Sequence, residues 1–350
     1  MRLMLVAGSS HGHFTQLLAR YLGTEPLQAT RNKYANGETR FELLESVSGG
    51  DVYLVQTSAD PVNDSLMELL LMAQTCRYAS AQRITAVMPC FPYARQDKMK
   101  GWQQPISAKL VANLLQAAGV HQVLTMHLHA PQLQGFFDIP CENLSSQLLL
   151  VAWIQQYVPD WRQAVIVAPD NGAVKLATSI SEQLSIPLAL LHKQRNFSNE
   201  IEHMLLVGDV AHKVSIVVDD MVDTGNTLCF AAQHLLEAGA TKIYGCVTHG
   251  VFTGQSLEKL LQAPYELFAC TNSLPLPERV QRERRIHIID VTSIFARHIQ
   301  KKNSPNFMIK MQRAPTSELF DVDDLESSKN AQGEKSVQTR PHGTRRVSSK

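Results

Sequence analysis

What most constrains this chain is an alternation of two hydrophobic periods. Short apolar runs suited to buried strands, at residues 51–56, 84–88 and 123–126, are separated by segments with helical spacing at 65–79 and 107–118. In the last of these, Val111, Leu114, Leu115 and Ala118 recur at i, i+3, i+4 and i+7, which is one face of a helix. Alternating β and α elements predict a parallel sheet covered on both faces. The pattern then restarts, with strands expected at 164–168, 186–191, 214–218 and 243–247 and helices at 173–184 and 228–238. We therefore expect two α/β domains, at 1–147 and 148–310. A weak internal echo agrees with duplication. LLQAAGVHQV from Leu114 and LLEAGATKI from Leu235 are each a helix end, a glycine stop and a strand start.

Size permits this: 350 residues, 44% hydrophobic, bury a substantial core. A formal net charge of +1 gives neither nucleic acid nor an anionic membrane a field to follow, so neither is expected as a partner. Cys76, Cys90, Cys141, Cys229, Cys246 and Cys270 are scattered without a CxxC pair, which suits a reducing compartment better than a zinc site or a disulfide framework. The opening MRLMLVAGSSHG is too short in apolar residues for a signal core or a membrane span, and the later stretch 66–73 is interrupted by Glu68. The expected location is cytoplasmic. From about Met311 the chain turns polar, acidic first and basic last, and residues 311–350 are expected to be disordered because they offer too little burial to offset their ordering entropy. RRVS at 345–348 has the pattern of a basophilic kinase site, a match short enough to arise by accident.

The chemistry concentrates in VVDDMVDTGNT, residues 217–227. Ser215 to Val218 read as a strand buried on both faces, so the carboxylates that follow are expected at its carboxyl end, where ligands bind in open α/β sheets. The next helix would start near Thr227 and offer unpaired N–H groups to a phosphate. Gly225 permits close backbone approach, and Thr224 and Thr227 add hydroxyls. Asp219 and Asp220 would repel a phosphate but can accept from sugar hydroxyls or attract magnesium, so a sugar phosphate satisfies both halves. The plainer alternative is a polar turn in which an Asp caps a helix. No GxxxxGK[ST] motif occurs, so a nucleotide would have to be held in another way.

Aliphatics, Asp-Asp, two residues, then Asp-Thr-Gly-x-Thr: this spacing resembles the ribose-phosphate loop of the type I phosphoribosyltransferase fold, with Asn226 at its variable position. NDSLMELL (63–70), FPYARQDK (91–98), PISAKLVANLL (105–115), HLHAPQLQGFFDIP (127–140) and APDNGAVK (168–175) occur in one register. Together they make residues 3 to 300 similar to the ribose-phosphate diphosphokinase family. The resemblance implies two tandem type I phosphoribosyltransferase-like domains, each a parallel sheet flanked by helices. It implies Mg2+-dependent transfer of the diphosphoryl group of ATP to the 1-hydroxyl of ribose 5-phosphate, giving phosphoribosyl diphosphate and AMP for nucleotide biosynthesis. It also implies a homo-oligomer, dimers assembling to a hexamer.

By the same resemblance Tyr34, Asn36, Gly37 and Glu38 match the adenine-contacting stretch, with Tyr for the usual Phe, and Arg95, Gln96 and Asp97 match a second ATP segment. His129 matches a histidine near triphosphate and metal, and Asp170 a metal-associated aspartate of the diphosphate loop. Lys193 and Arg195 match the paired cations of a catalytic loop, and Asp219, Asp220, Asp223, Thr224, Gly225, Asn226 and Thr227 the ribose 5-phosphate site. Read without the resemblance, YARQD and KQR are solvated loops, His129 is a structural histidine and Asp170 a helix cap. The chain departs from the family at His127, where aspartate is usual, and at Ala173, where the diphosphate loop has its second glycine. Met99, Trp102 and Gln103 interrupt a usually basic stretch, and KKNSPNFMIKM (301–311) replaces the usual closing segment. These departures motivate a second expectation, a catalytically weakened regulatory subunit associating with active relatives. A base phosphoribosyltransferase, needing one such loop domain, is disfavoured by the nucleotide segments.

Overall fold

A computed structural model describes residues 2–99, 101–195 and 201–303; the side chains of 193–195 and 201–204 lie outside the description. The expected disordered tail, 311–350, also lies outside the described residues. The first half of the chain runs β1 (Leu3–Ala7), α1 (Gly12–Leu22), β2 (Ala29–Lys33), β3 (Thr39–Leu43), β4 (Asp51–Val55), α2 (Val62–Tyr78), β5 (Arg83–Met88), α3 (Ser107–Ala118), β6 (Gln122–Met126) and β7 (Cys141–Leu144). Five strands join in the order β1-β4-β5-β6-β7, every neighbouring pair parallel. β2 and β3 form a separate antiparallel hairpin, and Phe41 and Leu43 of β3 lean on the first core.

The second half runs α4 (Gln147–Tyr157), β8 (Val165–Ala168), α5 (Val174–Leu184), β9 (Leu188–Arg195), β10 (Ile201–Val207), β11 (Val214–Val222), α6 (Asn226–Glu237), β12 (Lys242–Gly250), α7 (Ser256–Gln262), β13 (Tyr265–Thr271), α8 (Glu278–Gln281), β14 (Ile286–Ile289) and α9 (Thr292–Asn303). Its sheet has the order β10-β9-β8-β11-β12-β13-β14. Only the β9–β10 pair at one edge is antiparallel. Both sheets are buried on two faces, as the unbroken apolar strands predict. Ile216, Val217 and Val218 of β11 are all fully buried, each such side chain contributing about 1.5–3 kcal/mol through removal from water.

The two sheets are not independent. Helix α9 leaves the second sheet and packs beside α1 on the first, where Phe295 meets Phe14 edge-on at a centroid distance of 5.4 Å. The Asp290 carboxylate accepts from the Thr292 N–H at 2.9 Å and starts this helix. Its last turns are tied down by His298 and Lys302, both paired with Glu142 of β7. Residues Met1–Asn303 thus form one compact unit.

Three boundaries differ from expectation in an informative way. β11 continues through Val222 because β12 runs alongside it, pairing Asp219 with Val247, Met221 with His249 and Val222 with Gly250. Asp219 and Asp220 therefore lie within the strand, not in the loop beyond it. Helix α2 starts at Val62 instead of 65, directly after Pro61, and α6 starts at Asn226, which shortens the intervening loop to residues 223–225.

Candidate active site

The carboxyl ends of β6 and β11 face each other across the junction of the two lobes. β6 leads into a turn whose first residue, His127, has φ +45°, a left-handed conformation in which His, Asn and Asp are enriched among non-glycine residues. Two residues on, His129 Nδ1 lies 2.5 Å from Asp220 Oδ2. That bond raises the histidine's pKa above the ordinary value against the opposing pull of burial. Burial pushes Asp220 up, but the His129 hydrogen bond and charge outweigh it and hold the carboxyl below the usual range. Asp219 goes the other way. Its burial, with Asp220 and Asp170 nearby, holds it well above the usual carboxylate range.

Asp219 thus registers an anionic field from two neighbouring carboxylates, the field a divalent cation would relieve. Among the described residues no group of three or more His, Cys, Asp or Glu side chains forms a ready metal cage. Magnesium needs none, since it is commonly held by one or two carboxylates with substrate phosphates completing its shell. The residues present fit that mode of binding. Asp170 is not a helix cap: its Oδ1 accepts from the Gly172 N–H at 2.9 Å within the loop, and the α5 cap position is Ala173.

The loop after β11 is built for close approach. Gly225 has φ +77°, and a Cβ there would lie 3.4 Å from the Ser256 carbonyl oxygen. No side chain caps α6 at Gly225, so the helix start presents its dipole and N–H groups to the loop. Asp223 is held from two sides, by the Thr253 hydroxyl at 2.6 Å and by Arg95 of the first lobe at 2.7 Å. The half-exposed Arg95–Asp223 pair contributes at most about 1 kcal/mol, little enough for a phosphate to displace. Lys259 Nζ donates to Asn226 Oδ1 at 2.9 Å, which brings a further cation to the loop.

The structure gathers Arg95, His129, Asp219, Asp220, Asp223, Thr224, Gly225, Asn226 and Thr227 around one crevice, with Asp97 and Asp170 within electrostatic reach. Gln96 Oε1 accepts from Ser107 Oγ at 2.6 Å, at the first residue of α3. Tyr34, Asn36, Gly37 and Glu38 form the turn of the β2–β3 hairpin, where Gly37 has φ +89° and Arg40 lies over the exposed Tyr34 ring, 5.9 Å from its centroid. Lys193 and Arg195 are in β9, opposite Met204 and Ile201 of β10, and their side chains lie outside the described residues.

Thr253, Lys259 and His249 stand outside the sequence candidates. A signal was present in THGVFTG (248–254), which follows the strand next to β11, because adjacent parallel strands end at a common crevice. The structure accommodates two departures from the family pattern locally. Ala173 is right-handed helical, φ −81°, so no glycine is required, and it packs inside the second core. His127 is pushed down to about 4 by burial and by neighbouring His249, and is neutral at pH 7.

Two parallel sheets with a carboxylate pair, an uncapped helix start and a glycine-bearing loop at one strand's carboxyl end define a phosphoribosyltransferase-type α/β protein. Comparison with known proteins narrows this. Residues 3–119 match the family model of the N-terminal domain of ribose phosphate pyrophosphokinase, and 195–313 that of the phosphoribosyl synthetase-associated domain. The crystal structure of phosphoribosylpyrophosphate synthetase from Mycobacterium smegmatis is 36% identical, covers 87% of this chain and 100% of its own, and superposes with a TM-score of 0.82. APRTase from Giardia lamblia is a partial match, 20% identical over 35% of this chain and 74% of its own, with a TM-score of 0.30. The chain belongs to the phosphoribosylpyrophosphate synthetase family, the ribose phosphate pyrophosphokinases.

Proposed function

We propose that this protein is a ribose-phosphate diphosphokinase, transferring the diphosphoryl group of ATP to the 1-hydroxyl of ribose 5-phosphate. The observation that carries this is the pair of bonds joining the ATP-side residues to the sugar-side residues, His129 to Asp220 at the end of β11 and Arg95 to Asp223 in the loop after it. Contact between residues picked from two separate motifs supports this reading.

In this reading the 5-phosphate rests against the N–H groups and hydroxyls of 223–227, with Lys259 nearby, and Asp219 and Asp220 accept from the ribose hydroxyls. Tyr34, Asn36, Gly37 and Glu38 take the adenine and Arg95, Gln96 and Asp97 the remainder of ATP. Asp170 and His129, beside the Asp219–Asp220 pair, would hold magnesium, which when bound would supply neutralisation of the triphosphate charge. Transfer forms the bond from the sugar's 1-oxygen to the β-phosphorus and breaks the bond from that phosphorus to the oxygen that leaves with AMP, while the sugar hydroxyl loses its proton. Lys193 and Arg195 stabilise charge growing on the transferred group. Strand register supports them: Ala168, just before Asp170, pairs with Leu190, so β9 runs on past the end of β8 on the side where Asp170 lies.

The finer assignments are a cytoplasmic location, a homo-oligomer of dimers forming a hexamer, and functional halves at 1–147 and 148–310. Among the described residues no helix is long and apolar enough to cross a membrane. The test is direct. Purified protein given ATP, ribose 5-phosphate and magnesium is expected to form AMP and phosphoribosyl diphosphate in equal amounts. Formation of ADP, or no consumption of ATP, would overturn the proposal.

A further inference from the structure

Strand β12 carries a histidine that none of the motifs used above contains. His249 is 2% exposed and lies opposite Met221 in the β11–β12 register, next to the strand positions of Asp219 and Asp220. Both its ring nitrogens are engaged. Nε2 lies 3.2 Å from the His127 carbonyl oxygen, and Nδ1 lies 2.8 Å from Ser273 Oγ, just past β13. A carbonyl only accepts, so Nε2 carries the hydrogen; burial pulls the ring's pKa down, but neighbouring Cys90, the His127 carbonyl and Asp220 outweigh it and raise it to about 9, so at pH 7 Nδ1 also carries a hydrogen and donates to the Ser273 hydroxyl oxygen.

The turn gripped in this way needs holding. His127 sits at φ +45°, a backbone conformation that persists in a non-glycine residue when its surroundings over-determine it. Its N–H donates to the Leu144 carbonyl at 2.9 Å, and the Leu128 N–H donates to Asn143 Oδ1 at 2.9 Å. Those two bonds tie the turn to β7 of its own lobe. The bond from His249 ties it to the second lobe, on the strand adjacent to the one bearing Asp220. A ring on β12 that grips residue 127 therefore sets how residue 129 meets Asp220.

We propose that His249 is a positioning residue for the transfer reaction: gripping the His127 carbonyl across the lobe junction, it holds the 127–129 turn in the form that aims His129 at Asp220. This rests on the reading of the crevice as a diphosphokinase site. It adds a residue that touches neither substrate and acts through the backbone of position 127, which explains how that position tolerates a changed side chain.

The full-length His249→Leu, His249→Gln and Ser273→Ala variants test it. Glutamine keeps a side-chain N–H to donate to the His127 carbonyl; leucine does not. His249→Leu is expected to lower kcat by about 10- to 100-fold, as a misplaced reacting group does, with KM for ATP and ribose 5-phosphate within about threefold. His249→Gln should recover most of the loss. Proton spectra without substrate give a second readout: the downfield Nδ1–H resonance of His129 bonded to Asp220, assigned by its loss in His129→Ala, should persist in His249→Gln and vanish in His249→Leu. An unchanged kcat in His249→Leu, or equal losses in both variants with the resonance intact, would overturn the proposal. If His249→Leu fails to fold, Ser273→Ala decides, because it removes the Nδ1 partner and otherwise only the hydroxyl's 3.4 Å bond to the Thr248 carbonyl. The proposal expects kcat to fall about threefold with KM unchanged, and an undiminished kcat would contradict it. An inactive wild type would sink the diphosphokinase reading, and the resonance, which needs no turnover, would still judge His249.

Discussion

Position 127 shows how a side chain that breaks a family pattern can leave a site intact. What the turn needs from this residue is a left-handed backbone and a carbonyl, and the imidazole itself makes a 3.4 Å contact with Ser146 Oγ and an edge-on contact with the His249 ring, centroids 6.4 Å apart. Aspartate tolerates the same conformation. His127→Asp should therefore keep kcat within about threefold of wild type in the AMP-forming assay, and a tenfold loss would mean that the imidazole has its own task. In the proposed reaction Lys193 is the opposite case, a side chain that acts through its charge. Lys193→Ala is expected to lower kcat by about 100-fold or more with little change in KM for ATP, because its cation acts on charge that develops late. Equal damage to both constants would contradict that role. The strand–loop–helix order across DDMVDTGNT was legible in sequence because an apolar run, a glycine and a helix start follow one another in one short segment. Thr253 could be reached through THGVFTG at the end of the strand beside β11, whereas Lys259 could not, because it reaches Asn226 from helix α7 and its spacing to the loop in sequence carries no pattern.

At the scale of elements, the alternation of periods was legible wherever it is local. Helix α3 has the expected bounds, and the two glycine stops are real: Gly119 follows α3 at φ +103° and Gly239 follows α6 at φ +89°. The length of β11 was not legible, since its extension through the acids depends on β12 lying alongside. The destination of α9 was hidden for the same reason. Its apolar stripe, Phe295, Ala296 and Ile299, says that it packs, not that it packs on a sheet formed nearly 300 residues earlier in sequence. Phe295→Ala should cost about 3–5 kcal/mol, measured by denaturant unfolding. A cost below about 1 kcal/mol would mean that this contact between the halves is dispensable.

For the molecule as a whole, the junction between the lobes sets the response to pH. His11 of the first lobe donates from Nε2 to the Asn272 carbonyl of the second at 2.9 Å, while Nδ1 accepts from the Phe14 N–H at the start of α1. The Nδ1 bond holds only in the neutral ring, and burial pushes the ring's pKa down from 6.5 to about 4. The unfolded chain therefore binds this proton more readily. The associated stability is fully present above pH 6.5 and is lost as pH falls through 6.5 towards 4, on the order of 3 kcal/mol. Wild type should lose about that much more than His11→Gln between pH 7 and pH 4, and parallel curves for the two proteins would contradict it.

The central claim is that a pentose monophosphate docks where β11 ends, its phosphate on the amides of 223–227 and its hydroxyls at Asp219 and Asp220. A crystal structure with ribose 5-phosphate bound measures this most directly. The account predicts phosphate oxygens within hydrogen-bond distance of the N–H groups leading into α6, and the sugar lying between that helix start and the two carboxylates. Sugar density at another crevice, with this loop still closed by Arg95 and Thr253, would contradict it.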